Sequence, residues 1–95
     1  MPAYVLVDIE VTEPVQYEEY KTLAAATVAA FGGRYVVRGG EVETLEGHWP
    51  THRLVILEFP TAASAREWWD SPAYRPARLM RQASARTNML LVAGM

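Results

Sequence analysis

The amino-acid sequence predicts a single α+β domain of the ferredoxin-like class, with βαββαβ order and a four-stranded antiparallel sheet covered by helices on one face. The first supporting observation is that apolar residues recur with periods of two and of three to four residues in alternating segments. The second is size, since 95 residues, 51% of them hydrophobic, can form one domain with its own core. The third is the absence of cysteine, which leaves that core to hold the fold without disulfides. We therefore treat residues 1–95 as one domain.

The first segment is predicted to be a strand and the second a helix. Apolar side chains alternate through residues 3–11, as they do in a strand with one buried face. Pro14 then suits the first turn of a helix, because the N–H that it lacks would be unpaired there. An apolar stripe at three- and four-residue steps continues the helix over residues 15–31. The helix is predicted to end at Gly32 and Gly33, where a left-handed cap favours a residue without Cβ.

The middle of the chain predicts two strands separated by an arm. Residues 34–38 form a short second strand, and the paired glycines at 39–40 indicate a bulge or a tight bend. Residues 41–49 are predicted to be an extended arm or a small hairpin, which Pro50 ends. Residues 52–59 are apolar on both faces, which is typical of a central strand that is covered on two sides.

Two helices and a final strand complete the predicted fold. Residues 62–70 form the second helix, with Ser64 and Glu67 spaced as in a capping box. A further helix over residues 76–85 leads into the last strand, residues 86–93. Right-handed crossovers between the two halves give the strand order 4-1-3-2, with the first and third strands at the centre of the sheet.

The face of the sheet without helices needs a cover of its own. In the register that we infer, four apolar side chains of the central strands share this open face: Tyr4, Leu6, Leu54 and Ile56. Monomeric proteins rarely leave such a contiguous apolar patch exposed. The simplest cover is a second copy of the chain, packed sheet to sheet about a two-fold axis. The sequence therefore predicts a homodimer.

Two arginines of the second strand are expected on the same open face. The antiparallel register places Glu58 near Arg34 and Asp8 near Arg38, at opposite ends of the apolar patch. One interpretation is that these ion pairs fix the register between two sheets, because a charge left unpaired at an interface costs about 3–5 kcal/mol. The other interpretation is an arginine site for a carboxylate or phosphate ligand. Structural ion pairs are the commoner of the two, but both interpretations stay open at this point.

Several aromatic side chains are candidates for contact with a ligand. Trp68 and Trp69 are adjacent on a helix and point about 100° apart, so we expect one in the core and the other at a rim or an interface. Trp69 is taken as the candidate for stacking on a ligand. Tyr20 lies on the buried stripe of the first helix, where its hydroxyl either orients a substrate or is paired within the core.

Composition argues against several classes of partner and cofactor. His48 and His52 flank a proline turn without a third ligand nearby in sequence, so we predict no metal and no cofactor. A net charge of −2, with acids between the arginines, argues against a nucleic-acid partner. The longest apolar run, LAAATVAAF, is far shorter than the ~20 residues that span a membrane. The absence of cysteine fits a reducing compartment, and we expect a cytoplasmic protein.

Several stretches of the chain resemble one known family, and the resemblance runs from residue 3 to about residue 93. The stretches are YVLVDIEVTEP, YEEYK, GGRYVVRGGEVETLEG, LVILEFP and WWDSPAYRPARLMR. They resemble the family catalogued as domain of unknown function 1330, in the dimeric α/β-barrel superfamily. The resemblance implies two ferredoxin-like subunits packed sheet to sheet, and in many relatives the ligand pocket lies between the sheet and the helices of one subunit. Characteristic family positions fall on Tyr20, Gly33, Arg34, Gly39, Gly47, Phe59, Ser71, Pro72, Tyr74 and Arg81.

The resemblance implies three functional alternatives, because the superfamily includes cofactor-independent monooxygenases, muconolactone isomerases, haem enzymes and small stress proteins. The first alternative is a protein that binds or converts a small organic molecule without metal, between the sheet and the helices. Its candidate binding residues are Tyr20, Arg34, Arg38, Trp69 and Tyr74. The second alternative is a non-catalytic homo-oligomer with a structural or stress-related role. The third is a haem-dependent enzyme, which would need a histidine beneath a large cavity. Whether the protein is an enzyme stays open.

Overall fold

The computed structural model describes residues 1–95 and confirms the predicted order of strands and helices. The strands are β1 (Ala3–Val11), β2 (Arg34–Arg38), β3 (Arg53–Phe59) and β4 (Ala85–Ala93), and the helices are α1 (Pro14–Ala30), α2 (Ala62–Asp70) and α3 (Arg75–Ser84). These bounds lie within about one residue of the predicted ones, which is the margin by which element ends ordinarily vary. None of the three helices combines the length and the hydropathy that crossing a membrane requires.

The four strands form one antiparallel sheet in the order β2-β3-β1-β4, as predicted. β1 pairs with β3 on one side and with β4 on the other, so β1 and β3 are the central strands. The chain forms a slab of 36 × 36 × 16 Å. A slab this thin holds one sheet and one layer of helices, which confirms the ferredoxin-like fold and leaves the second face of the sheet open.

The hydrophobic core lies between the sheet and the helix layer. Every second residue of β1 and β3 is buried in it: Ala3, Val5, Val7, Ile9, Val55, Leu57 and Phe59. The ring of Trp68 lies between two other aromatic rings, with centroids 5.3 Å from Phe59 and 4.2 Å from Tyr74. Trp68 is 1% exposed and its neighbour Trp69 is 41% exposed, so one tryptophan is in the core and the other at the rim.

The two glycines after α1 have different roles. Gly32 has a φ of 78°, and its N–H donates to the carbonyl oxygen of Ala29 at 3.0 Å. The N–H of Gly33 donates to the carbonyl oxygen of Val28 at 2.9 Å, which completes a Schellman cap. A Cβ on Gly33 would lie 2.7 Å from the Phe59 ring, so a glycine is also needed there for close packing. The predicted end of the first helix is confirmed.

The capping box of α2 differs from the predicted one. The Thr61 hydroxyl accepts a hydrogen bond from the Ser64 N–H at 3.0 Å, and the Ser64 hydroxyl accepts one from the Thr61 N–H at 3.2 Å. The prediction that Ser64 pairs with Glu67 was wrong. The helix begins at Ala62, which makes Ser64 its third residue rather than its cap.

β2 contains a bulge inside the strand, before the glycines at which the sequence analysis expected one. The register steps from Tyr35 opposite Leu57 to Val37 opposite Ile56, so Val36 is the extra residue. Such a step moves every later side chain of the strand to the other face of the sheet. Simple alternation along β2 therefore assigns side chains to the correct face of the sheet only for the residues before the bulge.

The bulge places Arg38 on the helix-covered face. Arg38 pairs with Val55, which is a core residue, whereas Arg34 pairs with Glu58 on the open face. The prediction that the two arginines share the open face was therefore wrong. Gly39 supplies the predicted bend, with a φ of 72°.

Two apolar surfaces have no cover within the chain. Segment 39–52 contains no helix or strand, and it exposes Val42, Leu45 and Trp49. On the open face, the register confirms that Leu6 lies opposite Ile56 and that Tyr4 lies opposite Glu58. The edge strand β4 extends the apolar patch with Leu90 and Val92, which are 65% and 47% exposed. The centre of the open face is thus a continuous apolar surface.

Candidate functional site

One end of the open face carries an ion pair that the sequence predicted. Arg34 Nε donates to Glu58 Oε2 at 2.8 Å. This bond lowers the pKa of the Glu58 carboxyl, and a hydrogen bond with the Tyr4 phenol lowers it further. The bond to the Glu58 carboxylate in turn raises the pKa of Tyr4. Because Arg34 already has a carboxylate partner, its geometry favours an ion pair that fixes register over a free anion site.

The opposite end of the open face also carries acids and cations, but Arg38 is not among them. The backbone N–H of His52 donates to Asp8 Oδ1 at 2.7 Å. His52 Nε2 lies 3.3 Å from Glu10 Oε2, and Arg86 Nη1 donates to Glu10 Oε1 at 3.2 Å. The prediction that Asp8 pairs with Arg38 was wrong, because the bulge turns Arg38 to the other face. The apolar patch is nevertheless flanked at both ends by groups of opposite charge.

Acid should weaken the Arg34–Glu58 pair over a defined range of pH. A carboxyl whose pKa is lower in the folded protein stabilises the fold above its unfolded pKa, here about 4.5, and this contribution is lost as the pH falls through the folded value. We therefore expect the free energy of unfolding to decrease more steeply below pH 4.5 in the wild type than in Glu58→Gln. Chemical denaturation at a series of pH values measures both slopes.

A matched control for this pH experiment is Glu43→Gln, because Glu43 is an exposed carboxylate in segment 39–52. This variant should keep the wild-type pH dependence. Identical slopes in the wild type and in Glu58→Gln would show that the ion pair contributes nothing to the pH dependence of stability.

A groove of about 490 Å³ opens between α2 and β4. Seven of its nine lining residues are hydrophobic, so apolar contact dominates its surface. The lining residues are Val5, Ala65, Arg66, Trp68, Trp69, Asp70, Met89, Leu90 and Leu91. The groove exists because α2 is short and does not cover the edge strand, where Leu91 stays 38% exposed. Its size and lining suit a small, largely apolar organic molecule.

Trp69 forms one wall of this groove. The Arg78 guanidinium lies 4.4 Å from the centroid of the Trp69 ring, and Arg78 Nη1 donates to the Trp69 carbonyl oxygen at 3.1 Å. These two contacts from α3 hold the indole in place at the mouth. Of the predicted binding candidates, Trp69 is the one that lines the groove.

Tyr20 and Tyr74 are joined to each other inside the core. Their hydroxyl oxygens lie 3.0 Å apart. The buried Arg81 donates through Nε to the Tyr74 hydroxyl at 3.4 Å and through Nη1 to the Thr87 hydroxyl. Burial raises the pKa of Tyr20 far above its ordinary value, so Tyr20 is a neutral phenol. This chain of hydrogen bonds satisfies a buried arginine and connects α1, α3 and β4, which is a structural role.

Arg38 lies in a second cleft, between α1 and the β2–β3 pair. Its guanidinium carbon is 4.3 Å from the centroid of the Tyr35 ring. Arg53 lines the same cleft and was not among the predicted binding residues. A signal was available, because Arg53 is in phase with Val55 and Leu57 along β3 and therefore faces the helix layer.

The five predicted binding candidates therefore lie in separate parts of the structure. Arg34 is on the open face, and Trp69 is in the groove between α2 and β4. Tyr20 and Arg38 line the second cleft, and Tyr74 lies behind Tyr20 in the core. The candidate functional site is therefore a choice between two clefts on the helix side of the sheet rather than one convergent pocket.

Comparison with known families gives one match over almost the whole chain. The family described as Domain of unknown function (DUF1330) matches residues 2–95. No curated protein sequence matches the chain. The family match agrees with the resemblance that was read from the sequence motifs.

Solved structures share the fold over the whole length of the chain. A protein of unknown function from Rhodopseudomonas palustris is 21% identical with a TM-score of 0.79, and the match covers 99% of this chain and 82% of that one. A dimeric ferredoxin-like protein from Jannaschia sp. CCS1 is 17% identical with a TM-score of 0.66, over 99% and 100% of the two chains. The cofactor-independent oxygenase SnoaB from Streptomyces nogalater is 15% identical with a TM-score of 0.65, over 99% and 93%. At these identities the similarity establishes the fold alone.

Proposed function

The chain belongs to the DUF1330 family, and on that premise we propose that it forms a homodimer in which each subunit binds a small, largely apolar organic molecule between α2 and β4. The observation that carries this proposal is the groove itself. Its volume of about 490 Å³ is in the range of small-molecule pockets, about 300–1,000 Å³. Burial of apolar surface supplies the affinity, and Arg66 and Asp70 supply polar groups that orient the ligand.

The fold-level comparison supports a small-molecule ligand and goes no further. SnoaB, with the same fold, is a cofactor-independent oxygenase, so this fold is compatible with catalysis that needs no cofactor. Neither His48 nor His52 lines the groove, so the groove does not supply the histidine that haem-dependent chemistry would require. The proposal is therefore binding of an organic molecule, without an assigned reaction.

Three features of the open face support the homodimer. The face is apolar at its centre, it carries the pairs Arg34–Glu58 and Arg86–Glu10 at its two ends, and it has no cover in a slab 16 Å thick. A two-fold axis lets such a face pack against itself, with acids of one copy meeting cations of the other. The Jannaschia protein with this fold is dimeric. A non-catalytic homo-oligomer remains the second candidate function, because Arg34 is already paired with Glu58. A cytoplasmic location stays a prediction.

A neutral fluorescent probe tests the groove. N-phenyl-1-naphthylamine should bind the wild-type protein, and Leu91→Glu should weaken binding at least about tenfold, because a carboxylate would then lie in the apolar lining. Fluorescence titration of the folded proteins, with circular dichroism to verify the fold, gives both dissociation constants. Leu79→Glu is the matched control, since Leu79 is 52% exposed on α3 and does not line the groove. Equal affinity in the wild type and Leu91→Glu would remove the groove as the binding site.

A further inference from the structure

The second cleft contains a concentration of positive charge that the proposed function does not use. Arg38 enters it from β2, Arg53 from β3 and Lys21 from α1. Lys21 is already paired with Glu18 at 3.0 Å on α1. Neither Arg38 nor Arg53 forms a salt bridge, which sets them apart from Arg34, Arg78 and Arg86.

Arg38 is held in a position from which it can donate hydrogen bonds. The bulge in β2 turns it to the helix side of the sheet, and its guanidinium lies over the Tyr35 ring at 4.3 Å. A guanidinium that lies over an aromatic ring is held in position by the cation–π contact, and its N–H groups can still donate to an oxyanion. Arg38 makes no side-chain hydrogen bond within the chain, so these donors are free for a ligand.

Arg53 has an unsatisfied donor inside the protein. Its Nε is buried and has no hydrogen-bond partner. The guanidinium lies directly under the turn at Gly39, where a Cβ would collide with it, so the glycine allows this close approach. The Nε is closed off from solvent, whereas the two Nη groups are neither fully buried nor hydrogen-bonded within the chain, so they are the donors that an acceptor from outside can reach.

Phenol groups complete the lining of the cleft. Tyr17, Tyr20 and Tyr35 all line it. Burial raises the pKa of Tyr35, while the charges of Arg38 and Arg53 act in the opposite direction, so both guanidinium groups are near that phenol. A neutral phenol can donate to an anion, and no carboxylate lines the cleft beside the two arginines.

We propose that this cleft binds the carboxylate of a small organic acid, with Arg38 and Arg53 donating to its oxygens. The space within the cleft is about 20 Å³, enough for one water-sized group. A carboxylate can insert one oxygen there and place its organic part against the mostly hydrophobic lining, a contact that inorganic phosphate cannot make. The site is separate from the groove between α2 and β4, although Trp68 and Met89 line both. It therefore goes beyond the proposed function.

Titration of the full chain with benzoate tests this site. Isothermal titration calorimetry should show saturable binding to the wild type, and Arg38→Gln and Arg53→Gln should each weaken it at least about tenfold, because each removes a charge-assisted donor. Arg38→Lys should also weaken binding, since it keeps the charge but loses the fork. The matched control is Arg75→Gln, because Arg75 is exposed at the start of α3 and lines neither cleft. Its affinity for benzoate should stay within about twofold of the wild type.

The outcomes distinguish a specific binding site from nonspecific electrostatic attraction. Inorganic phosphate should bind more weakly than benzoate, and phosphate binding as tight as benzoate would overturn the assignment to a carboxylate. Equal weakening by Arg75→Gln and Arg38→Gln would show that only net charge matters. Unchanged benzoate binding in both Arg38→Gln and Arg53→Gln would refute the site. The groove between α2 and β4 is tested separately, with a neutral probe and with Leu91→Glu. A negative result with benzoate therefore does not affect the proposed function, and a negative result with the neutral probe does not affect the carboxylate site.

Discussion

Replacing Trp68 with alanine should lower the free energy of unfolding by about 3–5 kcal/mol, whereas the same change at the adjacent Trp69 should lower it by about 1 kcal/mol or less. The physical reason is burial. The Trp68 ring is 1% exposed and packs against Phe59 and Tyr74. Its Nε1 also donates to the Thr27 hydroxyl at 3.1 Å, which connects α2 to α1. Alanine would leave a cavity in the middle of the domain and remove the donor to the Thr27 hydroxyl, which still donates to the Ala24 carbonyl oxygen.

Urea denaturation of both variants measures this difference. Small domains are stable by about 5–15 kcal/mol, so Trp68→Ala should be close to unfolded under conditions in which Trp69→Ala is folded. Trp69 is 41% exposed and rests on Arg78 at the surface, so its loss removes little buried area. Similar losses of stability in the two variants would mean that the two tryptophans share the core, contrary to the structure.

Replacing Ile56 with glutamate should dissociate the proposed homodimer. Ile56 lies at the centre of the open face, opposite Leu6 on β1 and Val37 on β2. An unpaired charge buried at an interface costs about 3–5 kcal/mol, and a two-fold axis would place one from each subunit there. We therefore expect the dissociation constant of the dimer to rise at least about 100-fold. Sedimentation velocity over a range of protein concentrations measures the shift.

Val15→Glu is the matched control for the dimer experiment, because Val15 is 82% exposed on α1, in the helix layer. It adds the same charge to the other side of the slab and should leave the association unchanged. A wild-type protein that stays monomeric at all concentrations would contradict the proposed assembly. So would an Ile56→Glu variant that is folded and still dimeric.

Local patterns in the sequence were sufficient for the elements of the fold. The period of two in β1 predicted which of its side chains enter the core, because side chains on a strand must alternate. The glycines after α1 predicted the end of that helix, because a left-handed cap at Gly32 and the Phe59 contact at Gly33 both exclude a side chain. Strand order followed from the connections, since right-handed crossovers leave few topologies for this sequence of elements.

The candidate site was predictable only in part. One of the two adjacent tryptophans was predicted at a rim or an interface, because adjacent helical residues cannot both face the core, and Trp69, the one taken as a ligand candidate, does line the groove. Tyr20 was taken as a ligand candidate, but its hydroxyl pairs with Tyr74, a partner 54 positions away in sequence. Arg53 went unnoticed, although its phase along β3 already placed it on the helix side.

The elements, their order and the apolar open face could all be predicted from the sequence, because each depends on the spacing of residues that are close along the chain. Tertiary structure alone decided where Arg38 points. The bulge at Val36 arises from the pairing of β2 with β3. This pairing cannot be read from the alternation of apolar and polar residues along either strand. One extra residue turned Arg38 from the open face to the helix side and brought it to the cleft that Arg53 also lines. The presence of both arginines in the second cleft is therefore a consequence of strand register, whereas the sheet itself follows from local pattern.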